Sequence, residues 1–507
     1  MAVIDWIIVF FYAVSTIGLG WYFGRRQNSA KEYFIGTGAM NPILIGVSLF
    51  ATLLSTISYL SLPGETVGKG PVYLASYLVY PLVYITLSYG VLPVYMRQSK
   101  VTSAYELLEK NLGLSVRLLG AIMFLMLRLV WMSLLVFMTA KAIAIMVGVD
   151  EKWVPLIVAI TGVFALTYTS LGGLRAVVIT DFMQTVLLYG GALLVIGTVT
   201  WKMGGFGWFP TEWQSDIWDS QPIISFDAST RVTLLGTLLS VFLWMVCTSA
   251  GDQVSVQRYM ATKNTGAARR AMATWLSVGC IVGVTLGLVG FALLGYFQAN
   301  PGLLPAGVTL QENADKLFPH FIAHHLPPVV TGLVVSGLFA AAMSSIDSGV
   351  NSITAVVMSD FLERFGRKPD THSKHIRFAR WMAVVIGLIV LGLSSAVEQV
   401  PGGFLAVTQK TVNLLTVPIF LLFFFALFVP SANTAGVWLG TVGSVAVAVM
   451  IAFCGQIWGQ IPGPGGKMID PISFQWISPV ALVVGVALGL LGCKLFREKA
   501  SHETKAN

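Results

Sequence analysis

Charge is what this sequence has least of. Only 11% of its 507 residues are Asp, Glu, Lys or Arg, against about 25% in a soluble domain, while 56% are hydrophobic. That balance excludes a chain bathed in water and describes a polytopic membrane protein. Cysteine is scarce as well. Cys247, Cys280, Cys454 and Cys493 fall in or beside apolar runs without Cys-x-x-Cys spacing, so neither a disulfide framework nor a thiolate metal site is indicated. The histidines (His320, His324, His325, His372, His375 and His502) read as loop or tail residues, which keeps the commonest base and metal ligand out of the membrane interior. With no nucleophile motif or phosphate loop either, an enzyme is not expected. Nor is a nucleic-acid partner: the net charge of +8 is first explained by Lys and Arg in cytoplasmic loops. Asp5 heads the first apolar run with no basic stretch before it, so that run reads as a retained helix and not as a signal peptide.

What the chain does have is a series of apolar windows of about 20 residues, each long enough to span a bilayer. They place helices near residues 4–23, 42–62, 72–94, 118–147, 153–170, 177–201, 233–250, 273–296, 328–357, 378–397, 405–429, 436–453 and 477–495, thirteen in all. With the N-terminus outside, the inner loops and helix ends hold 22 Lys and Arg residues, Arg258 among them, and the outer side holds 6. This asymmetry predicts an N-out, C-in chain with an odd number of spans. Arg128, Lys141 and Lys410 stay within helices. Two longer outer loops, 202–232 and 298–327, are rich in Pro, Gly and aromatic residues and are placed to cap an outer vestibule.

Two kinds of interruption stand out. The stretch Ala340–Ser352 sits in an apolar span yet carries Asp347 with Ser344, Ser345, Ser348, Asn351 and Ser352. On a helix Ser344, Asp347 and Ser348 share one face, offering clustered oxygen ligands to a hard cation, while an acid in hydrocarbon requires a partner or a function. Elsewhere Thr52, Ser55, Thr56, Ser58 and Ser61 precede Pro63-Gly64, and Cys247–Asp252 breaks another span. These are the second and seventh helices. Broken segments in matching halves point to a midplane site between inverted repeats.

The motifs Glu32-Tyr-Phe-Ile-Gly, Ser48-Leu-Phe-Ala-Thr, Val101-Thr-Ser-Ala-Tyr-Glu, Gly172–Gln184, Asp252–Arg258 and Ala340–Ser352 together resemble the sodium/solute symporters. That family carries sugars, proline, pantothenate, monocarboxylates and sialic acids. The resemblance implies an all-α membrane fold of thirteen helices built on inverted five-helix repeats of the leucine-transporter type. It divides the chain into a first helix and cytoplasmic loop (1–40), a ten-helix transport core (41–429), two C-terminal helices (430–496) and a tail (497–507). The tail is short and polar, and is expected to be disordered.

Carried over residue by residue, the resemblance implies a first Na⁺ site from the carbonyls of Ala51, Leu54 and Ala341 and the hydroxyls of Ser344 and Ser345. A second would use Asp181 and Ser348, with Asp347, where relatives usually have a small residue, adding a carboxylate. Ser55, Thr56, Ser58, Tyr73, Tyr77 and Gln409 match substrate-contacting positions. Tyr73 and Tyr77, four apart, share one face of an α-helix. Arg128 is either a carboxylate clamp or half of a buried ion pair; it lies one turn before Trp131, where sialic-acid carriers have their carboxylate-binding arginine.

The expected activity is Na⁺-driven uptake of a small polar solute across a membrane, with Na⁺ as the coupling ion. Lipid, solute and Na⁺ are the partners, and no obligatory protein partner is evident. The compact loops suggest a bacterial inner membrane. A proton-coupled symporter using Asp181 and Asp347, or a non-transporting sensor on the same fold, is the alternative.

Overall fold

The computed structural model describes residues 1–24, 40–54, 56–98, 103–169, 174–367, 372–397, 404–463 and 468–496. Ser55, the loop 25–39 and the tail from 497 lie outside the described residues. Among the described residues helix dominates, beside one small antiparallel pair, Ile461–Pro462 with Met468–Ile469.

Helix α1 is Val3–Gly24. Next, Asn41 accepts a bond from the Ile43 N–H at 2.9 Å, Pro42 opens the first turn, and α2 runs to Leu53, as a capped start with an early proline favours. Leu54 then turns extended (φ −82°, ψ 114°). Helix α3, Thr56–Gly68, leaves at 66° to α2. The span α4, Pro71–Arg97, changes winding three times. It is 3₁₀ over Pro71–Val79, α over Tyr80–Ile85, π over Thr86–Val91 and α again from Leu92. Pro71 stands in the first turn of the span, where a missing N–H costs nothing, and Pro81 and Pro93 stand where the winding changes.

After the short α5 (Glu106–Leu112) comes α6, Leu114–Val147, ended by left-handed Gly148 at φ 74°. Then follow α7 (Val154–Thr169), α8 (Leu174–Lys202) and α9 (Leu234–Gly251). At Asp252 the backbone is extended, and its carboxylate accepts the Val254 N–H at 2.8 Å to start α10, Gln253–Met260. The longer helices that follow are α11 (Thr265–Ala299), α12 (Leu317–His324), α13 (Val330–Val356, continued in π winding to Glu363), α14 (His372–Val397), α15 (Phe404–Phe428), α16 (Thr434–Ala452) and α17 (Ile477–Leu495). Both interruptions expected from the sequence, in the second and seventh apolar windows, are present, but the first falls at Leu54, and Pro63-Gly64, expected to end that span, lies within α3. Among the described residues nine stretches are long and apolar enough to cross a membrane, and ten when the bent pair α2–α3 is one span. The apolar parts of α1 and α14, Val3–Leu19 and Trp381–Ser395, are shorter.

Two expectations need correcting. His372 and His375 belong to the first turns of α14, because the helix continues beyond its apolar part, and His320 and His324 lie in the short α12. Arg258, counted among the inner-loop charges, is 1% exposed inside the bundle.

Small residues set the closest helix approaches, as membrane packing requires. A Cβ on Gly290 of α11 would lie 2.6 Å from Thr66 Cβ and 2.8 Å from the Pro63 carbonyl of α3. One on Gly440 of α16 would lie 2.5 Å from the Gly485 carbonyl of α17. Gly290→Val should therefore destabilise by about 1–3 kcal/mol through overpacking. Gly392→Val, where an added Cβ meets nothing within 4 Å, should leave the thermal midpoint of purified protein unchanged. Equal midpoints for the two variants would contradict this packing.

Candidate functional site

Because α2 stops at Leu53, the Phe50 carbonyl accepts the Leu54 N–H at 2.7 Å and the carbonyls after it are left without a following helical N–H. Helix α13 supplies partners instead. Ser345 Oγ donates to the Thr52 carbonyl at 3.0 Å, and the hydroxyls of Thr52 and Ser348 lie 2.8 Å apart. Across the break, Thr56 Oγ1 donates to the Leu338 carbonyl at 3.2 Å. Both halves of the broken helix are thus held to one unbroken helix by side chains that hydropathy alone would call out of place.

A charged pair lies beside this seam. Asp181 of α8 is fully buried and accepts the hydroxyls of Ser48 and Ser344, each at 2.5 Å. Arg258 of α10 brings Nη2 to 3.6 Å from Asp181 Oδ2. The same guanidinium donates to Ser48 Oγ (3.1 Å), Thr52 Oγ1 (2.5 Å), Ser348 Oγ (2.8 Å) and the Val254 carbonyl (3.3 Å). Two isolated charges in a dry interior are costly. Here each faces the other, and the remaining oxygens and N–H groups are satisfied by hydroxyls.

The turn of α13 that carries Ser344, Ser345, Asp347 and Ser348 therefore packs on the end of α2 that carries Ala51 and Leu54. Ala341 is buried one turn before it. Ser344, counted with the first Na⁺ site, is bonded to Asp181 of the second, so the two expected sites meet at that hydroxyl. Asp347 is buried at 3% on the same turn. Every donor in the set is oxygen, the chemistry a hard monovalent cation takes.

The expected solute contacts are spread more widely. Tyr73 Oη accepts from Gln409 Nε2 of α15 at 2.8 Å, and Gln409 Oε1 accepts from Asn413 at 2.6 Å. Tyr77 instead stands edge-on to Tyr80 (centroids 5.1 Å apart) with its phenol end against Gly283 of α11. The two tyrosines do not share a face. Their segment is 3₁₀, and at three residues per turn positions four apart lie roughly 120° apart. Thr56 is buried in α3 and Ser58 is half-buried there. Arg128 forms a buried ion pair with Asp252 Oδ2, the other oxygen of which caps α10; Trp131 is buried one turn further along α6. Toward the other end of α3, Glu65 holds Arg231 through two bonds of 2.6 and 2.7 Å. Trp218 donates to the Val67 carbonyl at 3.1 Å and Gln221 to the Lys69 carbonyl at 2.5 Å, so the segment between α8 and α9 caps α3.

Sequence reasoning missed Arg258, Glu65 and Arg231. The first had a signal in the residues: a helix break capped by an acid, followed six positions later by an arginine.

A profile of the sodium:solute symporter family matches residues 33–443. The chain is similar to the sodium/sialic acid symporter NanT of Aliivibrio fischeri, with 29% identity over 99% of this chain and 95% of that protein. It is also similar to the sodium/sialic acid symporter SiaT of Proteus mirabilis, with 31% identity over 89% and 90%. Among solved structures it is similar to a substrate-bound, outward-open Na⁺-coupled sialic acid symporter with a novel Na⁺ site. That match has a TM-score of 0.83 and 26% identity, and covers 98% of both chains. Mhp1, a nucleobase-cation-symport-1 family transporter, shares the fold at a TM-score of 0.51 and 12% identity.

Removing both members of the buried pair should cost less than the two single removals added together. Asp181→Asn or Arg258→Leu alone should destabilise by about 3–5 kcal/mol, and the double variant by less than the sum, measured by denaturation in mild detergent. Additive losses would show that the two side chains do not interact.

Proposed function

The chain belongs to the sodium:solute symporter family, and from that premise we propose that Na⁺ bound at the junction of α2 and α13 drives uptake of a small polar solute by alternating access. The ion takes the carbonyls of Ala51, Leu54 and Ala341 and the hydroxyls of Ser344 and Ser345. One observation carries the reading: Ser345 is hydrogen-bonded to a carbonyl that the break in α2 left without a helical partner. A cation at this junction takes Ser345 Oγ from the Thr52 carbonyl and holds it beside the carbonyls of Ala51 and Leu54, joining α2 to α13. A solute bound between the broken helices then meets an ordered pocket, which makes the two affinities reciprocal.

The topology we assign is thirteen spans, N-out and C-in, with the transport core at 41–429 and a bacterial inner membrane as its setting. Asp181, Ser348 and Asp347 form the second cation position. Arg258 already bonds two of these three side chains, so a second Na⁺ must share them with a guanidinium or displace it. Thr56, Ser58, Tyr73 and Gln409 line the solute path beneath the Glu65–Arg231 pair. Two relatives are named for sialic acid, which makes a sugar acid the first solute to test. Arg128 is committed to Asp252, and position 131 is Trp, so the solute carboxylate must find another donor.

In proteoliposomes, replacing outside Na⁺ by choline at fixed pH should reduce solute uptake at least tenfold. Uptake unchanged by that swap would favour coupling to protons through Asp181 and Asp347. Ser345→Ala should raise the sodium concentration for half-maximal uptake about tenfold, a difference of about 1.4 kcal/mol. An unaltered sodium dependence would remove Ser345 from the site.

A further inference from the structure

A cavity of roughly 970 Å³ runs along the flank of α8, on the stretch that follows Asp181 and shares no lining residue with the cation seam. Its floor is one face of that helix: Gly190, Leu193, Leu194, Gly197, Thr198 and Trp201, spaced as a continuous helical stripe. Leu193 and Leu194 are 46% and 38% exposed. A Cβ added at Gly190 or Gly197 meets nothing within 4 Å, so the glycines leave an open trough and do not serve close packing. The stripe covers eleven helical steps, roughly 17 Å, close to the ~15 Å thickness of one hydrocarbon leaflet.

Its upper end is chemically different. Lys202, His324 and His325 close it, with no acid among the lining residues. Lys202 Nζ donates to the His325 carbonyl at 2.6 Å and lies 5.7 Å over the Tyr296 ring. His325 Nδ1 faces Tyr296 Oη at 3.5 Å, while its Nε2 is buried without a partner among the described residues. Burial first, then His320 and Lys202 nearby, pulls the His325 imidazole down to about 4, so at neutral pH it is an uncharged hydrogen-bonding group beside a cationic lysine. Trp201, 87% exposed at this level, suits the aromatic belt at a membrane interface.

We propose that this cavity is a binding site for an anionic phospholipid, with one acyl chain in the α8 trough and the headgroup phosphate at Lys202 and His325. Length and charge both select this occupant. An apolar trough one leaflet long, ending in a cation with an imidazole beside it, complements a chain that ends in a phosphate. A zwitterionic lipid would fill the trough equally well but would bring a second cation to Lys202.

Native mass spectrometry tests the assignment. Full-length protein in detergent is offered equal amounts of palmitoyl-oleoyl phosphatidylglycerol and phosphatidylcholine. Sodium-dependent thermal stability confirms that each variant is folded. The wild type should retain phosphatidylglycerol at least fivefold over phosphatidylcholine. Lys202→Gln should abolish that preference while still retaining lipid. Gly197→Phe, which fills an open trough, should reduce retention of both lipids. Equal retention of the two lipids by the wild type would overturn the proposal, as would a preference unchanged in Lys202→Gln. So would displacement of the lipid by inorganic phosphate alone, which would make this an anion site, or a shift to dimer mass lost in Gly197→Phe, which would make the trough a protein interface.

Discussion

The ion pair between Asp181 and Arg258 is the constraint on which the centre of this protein rests. Both side chains are at most 1% exposed and lie 3.6 Å apart. Neither can be left alone in a membrane interior without a cost of several kcal/mol. Their partners come from different elements: Ser48 and Thr52 from α2, Ser344 and Ser348 from α13, the acid from α8 and the guanidinium from α10. Four elements far apart in sequence are therefore held at one point, and the proposed sodium site lies against that point. The breaks in α2 and α9 make this arrangement possible. One frees backbone carbonyls, and the other turns α10 so that Arg258 enters the bundle.

Buried pairs recur at other levels. Arg117 of α6 holds Asp360 at 2.7 Å beyond the end of α13, and the same guanidinium reaches Glu109 of α5 at 2.7 Å. Arg128 holds Asp252 at the break of α9, and Glu65 holds Arg231 over α3. In a chain so poor in charge, these charges are spent between elements and seldom within one. Such contacts have two discrete arrangements, made or broken, which is the property that elements of a switching transporter need.

Much of this was legible in the sequence, for identifiable reasons. Apolar windows gave the helices because length against bilayer thickness is a strong signal. The Gly251-Asp252 step marked the second broken span where it lies, whereas Pro63-Gly64 stands inside α3 and the first break falls at Leu54, amid the hydroxyl-rich run that drew attention to it. The serine row on α13 was visible because hydroxyls are out of place in hydrocarbon. Hydropathy, however, hands an arginine to the nearest loop, so Arg258 was counted outside a bundle whose centre it occupies. Arg128 plainly required a partner, but its choice of Asp252, 124 positions away, depends on tertiary contact. Tyr73 and Tyr77 were misplaced by assuming α geometry where the winding is 3₁₀. Glu65 and Arg231 were hidden because their pairing joins a helix to a long connection whose path no local pattern sets.

The central claim is that Na⁺ binds where the end of α2 meets α13. Amide hydrogen exchange of the purified protein in Na⁺, and in K⁺ at equal ionic strength, measures this directly. The account predicts that Na⁺ slows exchange in peptides covering Phe50–Ile57 and Leu338–Ser348, with little change in α16 and α17. Slowing confined to other segments, or the same exchange in both salts, would place the cation elsewhere and contradict it.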